Sequence, residues 1–241
     1  WLLFGWIAVK LLDAMAEQGF IVAFPNYRGG TGRGVEHSKL GQHDYAGAEF
    51  NDIVDAKRHL VEAGLADGDR TGITGGSYGG FASMWAASAL SEHFQASVAF
   101  VGISNQLSKF GTTDIPKEMY HVHARAWPWD DWQWMLERSP IFHAGKVKTP
   151  LLIMHGAEDP RVHPAQSMEM YRHVKVRTDT PVRLVYYPGE GRRRCSCSLL
   201  PVSSRLSSSQ LSRSQSWLPV TENTKKMRKK LKKEMVVPMV I

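Results

Sequence analysis

The chain has 241 residues, enough for one large domain or two small ones, and its hydrophobic fraction of 43% is ordinary for a globular protein. No apolar run is long enough to span a membrane. The net charge of +7 does not mark a basic domain: residues 192–241 hold twelve Lys and Arg against two Glu, a net of +10, whereas residues 1–191 hold 18 basic against 21 acidic side chains, a net of −3.

In chain order, residues 7–17 carry a helical pattern that stops before Gly19. Phe20 to Phe24 reads as a short apolar strand, ended by Pro25 and the glycine-rich turn from Arg28 to Gly34. Within that turn, Gly30-Thr31-Gly32-Arg33-Gly34 lacks the G-x-G-x-x-G spacing of a dinucleotide loop. Phe50, Ile53, Val54, Leu60 and Val61 fall on one helical face. After a turn around Asp67–Asp69, Thr71–Thr74 predicts a strand and Phe81–Leu90 a buried helix. Ser97–Val101 and Leu151–Met154 are apolar runs of strand length. Met168, Tyr171 and Val174 mark the next helix, and Val182–Tyr187 the last strand. This alternation predicts an α/β fold, a mostly parallel sheet with helices on both faces.

Between Ser104 and His143 the sequence has no clear period and is rich in aromatics, among them Trp127, Trp129, Trp132 and Trp134. A loop that shapes a pocket and a long connection packed by its own rings both fit. From Arg192 onward serine, arginine and then lysine dominate, which predicts a disordered basic tail over 192–241 behind a domain at 1–191. Both cysteines, Cys195 and Cys197, lie in that tail; a C-x-C pair without further ligands points to neither metal nor disulfide. No metal and no cofactor is expected.

The chemistry is carried by Gly75-Gly76-Ser77-Tyr78-Gly79, a G-x-S-x-G motif between a predicted strand and a predicted helix. That is the context of the nucleophile elbow of an α/β-hydrolase fold. A sharp turn projects the Ser77 hydroxyl above the sheet, glycines flank it for want of room, and Gly80 adds clearance. The Tyr78 backbone N–H can donate to a developing oxyanion at the helix N-terminus. The alternative is a glycine-rich turn whose serine only caps the helix. In the order Ser, Asp, His, the acid should follow a later strand, and the run from Leu151 to Asp159 supplies Asp159, with Glu158 as its neighbour and competitor.

Three segments, GGSYGG at 75–80, NYRG at 26–29 and HGAEDPRV at 155–162, together resemble the prolyl oligopeptidase family of serine peptidases, especially its acylaminoacyl-peptidase and dipeptidyl-peptidase-like members. The resemblance covers about residues 1–191. It implies Ser77 as nucleophile, Asp159 as triad acid, Arg161 as the arginine that binds a substrate carbonyl, and hydrolysis of short peptides through an acyl-enzyme without a cofactor. It also implies a propeller domain and a second oxyanion donor that would both precede Trp1, so the domain reads as incomplete at both ends. In the family the last strand ends in PGEGHG, with the histidine after the second glycine. Here Pro188-Gly189-Glu190-Gly191 is followed by Arg192-Arg193-Arg194, and the last histidine is His173. A shifted reading frame accounts for the lost histidine and the change of composition together, whereas a natural pseudoenzyme accounts for the histidine alone. His155 and His163 read as packing and capping residues, not as a replacement base. The rival readings are an esterase or lipase on the same elbow, and a non-enzymatic binder that uses the basic tail on nucleic acid or acidic lipid. Neither nucleic acid nor membrane is the expected partner, and cytoplasm and periplasm stay open.

Overall fold

A computed structural model describes residues 15–191 and the backbone of Val237–Pro238. Of the helix predicted over 7–17, only 15–17 falls among them, and it stops where Gly19 turns at φ 85° with its N–H bonded to the Ala16 carbonyl. The predicted strand Phe20–Phe24 shrinks to β1, Val22–Ala23, because Pro25 cannot continue a ladder. Its partner comes from the far end of the chain: β6, Val237–Pro238, runs parallel to β1 with Val22 opposite Val237. The rest of the tail expectation lies outside the described residues.

After α1, Val35–Lys39, and α2, Ala48–Glu62, comes the main sheet. Strands β2 (Gly72–Gly76), β3 (Ala96–Phe100), β4 (Leu151–Gly156) and β5 (Val182–Tyr187) lie side by side in that order, all parallel. Parallel neighbours need crossovers, supplied by α3 (Tyr78–Ser88) between β2 and β3 and α6 (Ala165–Arg177) between β4 and β5. α3 is apolar on every side, with Phe81, Met84 and Ala87 wholly buried, as befits a helix wedged between sheet and outer layer. Ala99, Leu151 and Ile153 on one sheet face pack with Met84 of α3 and with Met170 and Val174 of α6. On the other face, Val98, Phe100, Leu152, Met154, Val185 and Tyr187 form their own cluster.

Two helical stripes differ from the pattern in the sequence. On α2, Phe50 and Ile53 are buried, but Val61 is 36% exposed because the last turn runs past the core. On α6 the inward pair is Met170 and Val174, one turn apart, while Met168 is only half-buried. The aperiodic stretch 104–143 is also more regular than its sequence implied. It folds into α4 (Gln106–Thr112), a turn at Pro116–Glu118 running into a π-helical Met119–Ala124, α5 (Trp132–Glu137) and a 3-10 stretch Pro140–Lys146. Each piece is about two turns or less, too short to print a period. Side-chain caps start two of them: Asn105 accepts from Leu107 N at 3.0 Å, and Asp131 from Trp134 N at 3.0 Å.

Candidate active site

Ser77 follows the C-terminal end of β2 with φ 61° and ψ −112°, a conformation an L-residue holds only under constraint. Its N–H donates to the Phe100 carbonyl at 2.9 Å, pinning the turn to β3, and its carbonyl accepts from Phe81 N at 2.9 Å, which starts α3. The hydroxyl makes no capping bond to that helix. A serine serving only as a cap would spend it there.

The steric demand for glycine falls on Gly80. A β-carbon there would lie 2.4 Å from the Phe100 carbonyl oxygen and 2.7 Å from Gly102 Cα. At Gly76, beside the serine, the nearest atom would be 3.9 Å away, so the expected crowding is absent at that position. β3 leaves the sheet under the same constraint: Val101, buried and β-branched, sits at φ 42° while its N–H donates to the Met154 carbonyl at 2.9 Å.

Two strands from Ser77, β4 ends in the loop that carries the acid. Because all four strands are parallel, Ser77 and Asp159 follow C-terminal ends on one edge of the sheet, separated across the strands by about 10 Å. Asp159 is 2% exposed, whereas Glu158 faces solvent. One carboxylate oxygen of Asp159, Oδ1, accepts from Arg161 N at 2.8 Å and Val162 N at 3.1 Å. The other, Oδ2, is buried with no hydrogen bond among the described residues, and His155 Nε2 lies 3.9 Å from it. A buried carboxylate oxygen without a donor is costly, so this side chain is built to receive one.

The two neighbouring histidines are spoken for. His155 is wholly buried; its Nε2–H donates to the Val162 carbonyl at 2.8 Å and its Nδ1 accepts from Ser167 Oγ at 2.5 Å. His163 Nδ1 accepts from Ala165 N at 3.2 Å, capping the start of α6. Arg161 forms a two-pronged pair with Asp114, Nε to Oδ1 at 2.5 Å and Nη2 to Oδ2 at 3.2 Å, with both side chains about two-fifths exposed (42% and 39%). Beside this loop the Pro188–Gly191 turn is packed tightly: Glu158 N donates to the Glu190 carbonyl at 3.0 Å, and a β-carbon on Gly156 would lie 2.3 Å from that same oxygen. Position 191 is therefore delivered against the loop that holds Asp159.

The residues around Tyr78 carry a second set of polar groups that the motif does not reveal. Its hydroxyl donates to Glu49 Oε1 at 2.5 Å, and its ring stacks on His123 at 4.6 Å and 11°. His123 in turn pairs with Glu118 at 2.8 Å, and Lys109 reaches the same carboxylate at 3.0 Å. Those two partners hold the Glu118 carboxyl at about 2, against the opposing effect of its burial. Glu49 was legible in one respect: it adjoins Phe50 and lies one turn before Ile53, a carboxylate beside the buried stripe of α2. Among the described residues no cluster of three His, Cys, Asp or Glu is placed to hold a metal ion.

Comparison with known proteins places these features. The model of the prolyl oligopeptidase family matches residues 9–195. The chain is 33% identical over 186 residues to dipeptidyl aminopeptidase BIII of Pseudoxanthomonas mexicana, an alignment covering 73% of this chain and 26% of that protein. It is 36% identical over 190 residues to the human (Homo sapiens) acylamino-acid-releasing enzyme, covering 75% and 26%. Among solved structures, an acylaminoacyl peptidase of Pyrococcus horikoshii superposes with a TM-score of 0.66 at 28% identity, over 74% of this chain and 29% of that one. A puromycin-hydrolyzing peptidase of Mycobacterium tuberculosis gives 0.67 at 26% identity, over 74% and 27%. The chain spans about a quarter of the length of the curated relatives it matches.

Proposed function

Since the chain belongs to the prolyl oligopeptidase family, we propose that it is the nucleophile-bearing part of a serine peptidase that cleaves short peptides through an acyl-enzyme on Ser77. The observation that carries the reading is the pairing of a strained serine with a buried carboxylate, one oxygen unbonded, two strands along the same sheet edge. In this reading Ser77 Oγ attacks the scissile carbonyl, and the negative charge that develops on the carbonyl oxygen is met by the Tyr78 N–H at the head of α3. Asp159 Oδ2 accepts from an imidazole and fixes its tautomer; the imidazole takes the Ser77 proton and returns it to the leaving amine. No histidine follows His173 in the sequence, so in this reading the nucleophile, the acid and the Tyr78 donor are the catalytic parts assigned in this chain.

Arg161 would bind a substrate carbonyl without giving up Asp114. A guanidinium has five N–H donors, and the pair uses two. Asp114 thus aims the remaining N–H groups. Asp114→Asn should weaken binding of an N-acylated dipeptide by about three- to tenfold, the range of a lost charge-assisted contact at a half-exposed site. Arg161→Ala should do the same, and the double variant should add little; additive losses by isothermal titration would show that the two side chains act separately.

The reading is tested by prolonged incubation of the chain with a dipeptidyl diphenyl phosphonate and, separately, a long-chain alkyl phosphonate, with the adduct located by mass spectrometry. The expected result is a slow adduct on Ser77, formed preferentially with the peptidyl reagent. Preference for the alkyl reagent would make the site an esterase. Modification unaffected by Ser77→Ala would overturn the assignment of the nucleophile.

A further inference from the structure

Resting on the reading of Ser77 as nucleophile, we propose that Glu49 is a positioning residue, whose carboxyl grips the Tyr78 hydroxyl and so aims the Tyr78 backbone N–H at the developing oxyanion. The peptide between Ser77 and Tyr78 leaves a residue at φ 61°, a conformation that relaxes unless something on each side resists. On the serine side the restraint is the bond from its N–H to Phe100. On the tyrosine side it is the ring, held at its tip by Glu49, on one face by His123, and at its edges by Phe50 (5.9 Å) and Phe81 (5.4 Å). The ring contacts are non-directional along the ring plane; the bond at the tip alone fixes how far the side chain reaches.

Glu49 itself is held for this purpose. It is 4% exposed, and Oε1 accepts from both Tyr78 Oη at 2.5 Å and Ala46 N at 3.2 Å. The loop that delivers Ala46 is strained: His43 and Ala46 both have positive φ, 56° and 52°. The other carboxylate oxygen, Oε2, lies where the loop after α1 meets the glycine-rich turn, 3.4 Å from where a β-carbon on Gly41 would stand and 3.9 Å from one on Gly29. Among the described residues no cation pairs with it directly; the nearest ones are taken by neighbouring carboxylates, Arg138 by Asp44 at 3.2 Å and Arg28 by Asp52. Tyr27 comes from the turn after β1, Asp44 and Tyr45 from the loop before α2, and Tyr78 from α3. Asp52, on α2 itself, is already taken by Arg28 through bonds of 2.6 to 2.9 Å. Beyond Tyr78, His123 is committed to Glu118.

Burial accordingly pushes the Glu49 carboxyl up to about 7, against the lowering effect of its bonds to Tyr78 and Ala46. Ionised, the carboxylate makes a charge-assisted bond to the tyrosine and holds the elbow tightly; protonated, it holds it less. The elbow should therefore feel the titration of a residue that never touches the substrate.

The experiment follows the amide ¹⁵N and ¹H signals of Ser77 and Tyr78 in the full chain from pH 5.5 to 8.5. Both should shift with a shared midpoint near 7. In Glu49→Gln, which keeps the shape and cannot ionise, the signals should stay at their low-pH wild-type positions throughout. Tyr78→Phe, lacking the hydroxyl, should uncouple the residue 77 and 78 amides while the Glu49 carboxyl still titrates. Flat signals in the wild-type chain, or a titration that survives Glu49→Gln, would overturn the proposal; survival would assign the effect to His123. A peptidyl phosphonate adduct on Ser77 is read separately, so failure of the peptidase reading and failure of this coupling give different results.

Discussion

Ser77 of this chain will react with a fluorophosphonate roughly a millionfold more slowly than a serine backed by a complete triad. Without an imidazole the hydroxyl keeps its proton at neutral pH and is a weak nucleophile. What remains is the strained presentation of Ser77 and the Tyr78 N–H beside it. Asp159 cannot substitute: its Oδ1 is committed to Arg161 N and Val162 N, and a carboxylate two strands away does not reach the serine. His155 cannot turn toward the serine without breaking both of its buried bonds. Arg192→His alone should leave the rate within about tenfold of the starting chain, because a base contributes only when held in reach of the hydroxyl. Gly191 is already packed against the Asp159 loop, so a family-like ending grafted after it, together with a relative's upstream strands, should restore fast labelling that Ser77→Ala abolishes. Rate constants for the three proteins with one probe decide the matter. Fast labelling of the unmodified chain would mean that another histidine serves, and His123, stacked on Tyr78, would be the first to replace.

Gly80→Ala should prevent the domain from folding. The added methyl group would meet the Phe100 carbonyl oxygen at 2.4 Å and Gly102 Cα at 2.7 Å, and both are backbone atoms that cannot rotate aside. Relief requires moving α3 away from β3, yet α3 is pinned at its head by the bond from Ser77 N to Phe100 O. Overpacking of this kind costs about 3 kcal/mol or more, a large part of a domain's net stability. Loss of the cooperative thermal transition, or recovery of the variant only in inclusion bodies, is the expected observation. Gly76→Ala, with 3.9 Å of clearance, is the control and should fold. Equal tolerance of both substitutions would show that the elbow is not packed as described.

How much of this was legible beforehand depends on the length of each signal. β3 and β4 were visible as apolar runs, the reading of Thr71–Thr74 as a strand overlaps β2, and β5 falls on the predicted bounds Val182–Tyr187. The elbow and the Asp159 loop announced themselves because strand, turn and polar residue occur in a fixed sequence. Stretch 104–143 did not, since α4 and α5 end before a period can repeat and depend on the caps Asn105 and Asp131. The direction of α6 was off by part of a turn for a similar reason: Met168, Met170 and Tyr171 are all apolar enough to face inward, and only packing against the 3-10 stretch Pro140–Lys146 and β4 selects Met170. Glu49 and His123 lay beyond reach because what matters is their meeting at Tyr78 from positions 29 residues before and 45 after it. A sequence shows that a buried carboxylate is unusual, not what it holds.

The pairing of Val22 with Val237 has a consequence for synthesis. The two partners stand 215 residues apart, so during translation β1 leaves the ribosome long before its partner exists. At about 5–20 residues per second the interval is on the order of 10 to 40 s. Throughout it the edge of β1 that Val237 will pair stays open to neighbouring nascent chains, the circumstance in which polysomes favour intermolecular pairing. Slowing elongation late in the message should raise the aggregated fraction, and speeding it should lower that fraction.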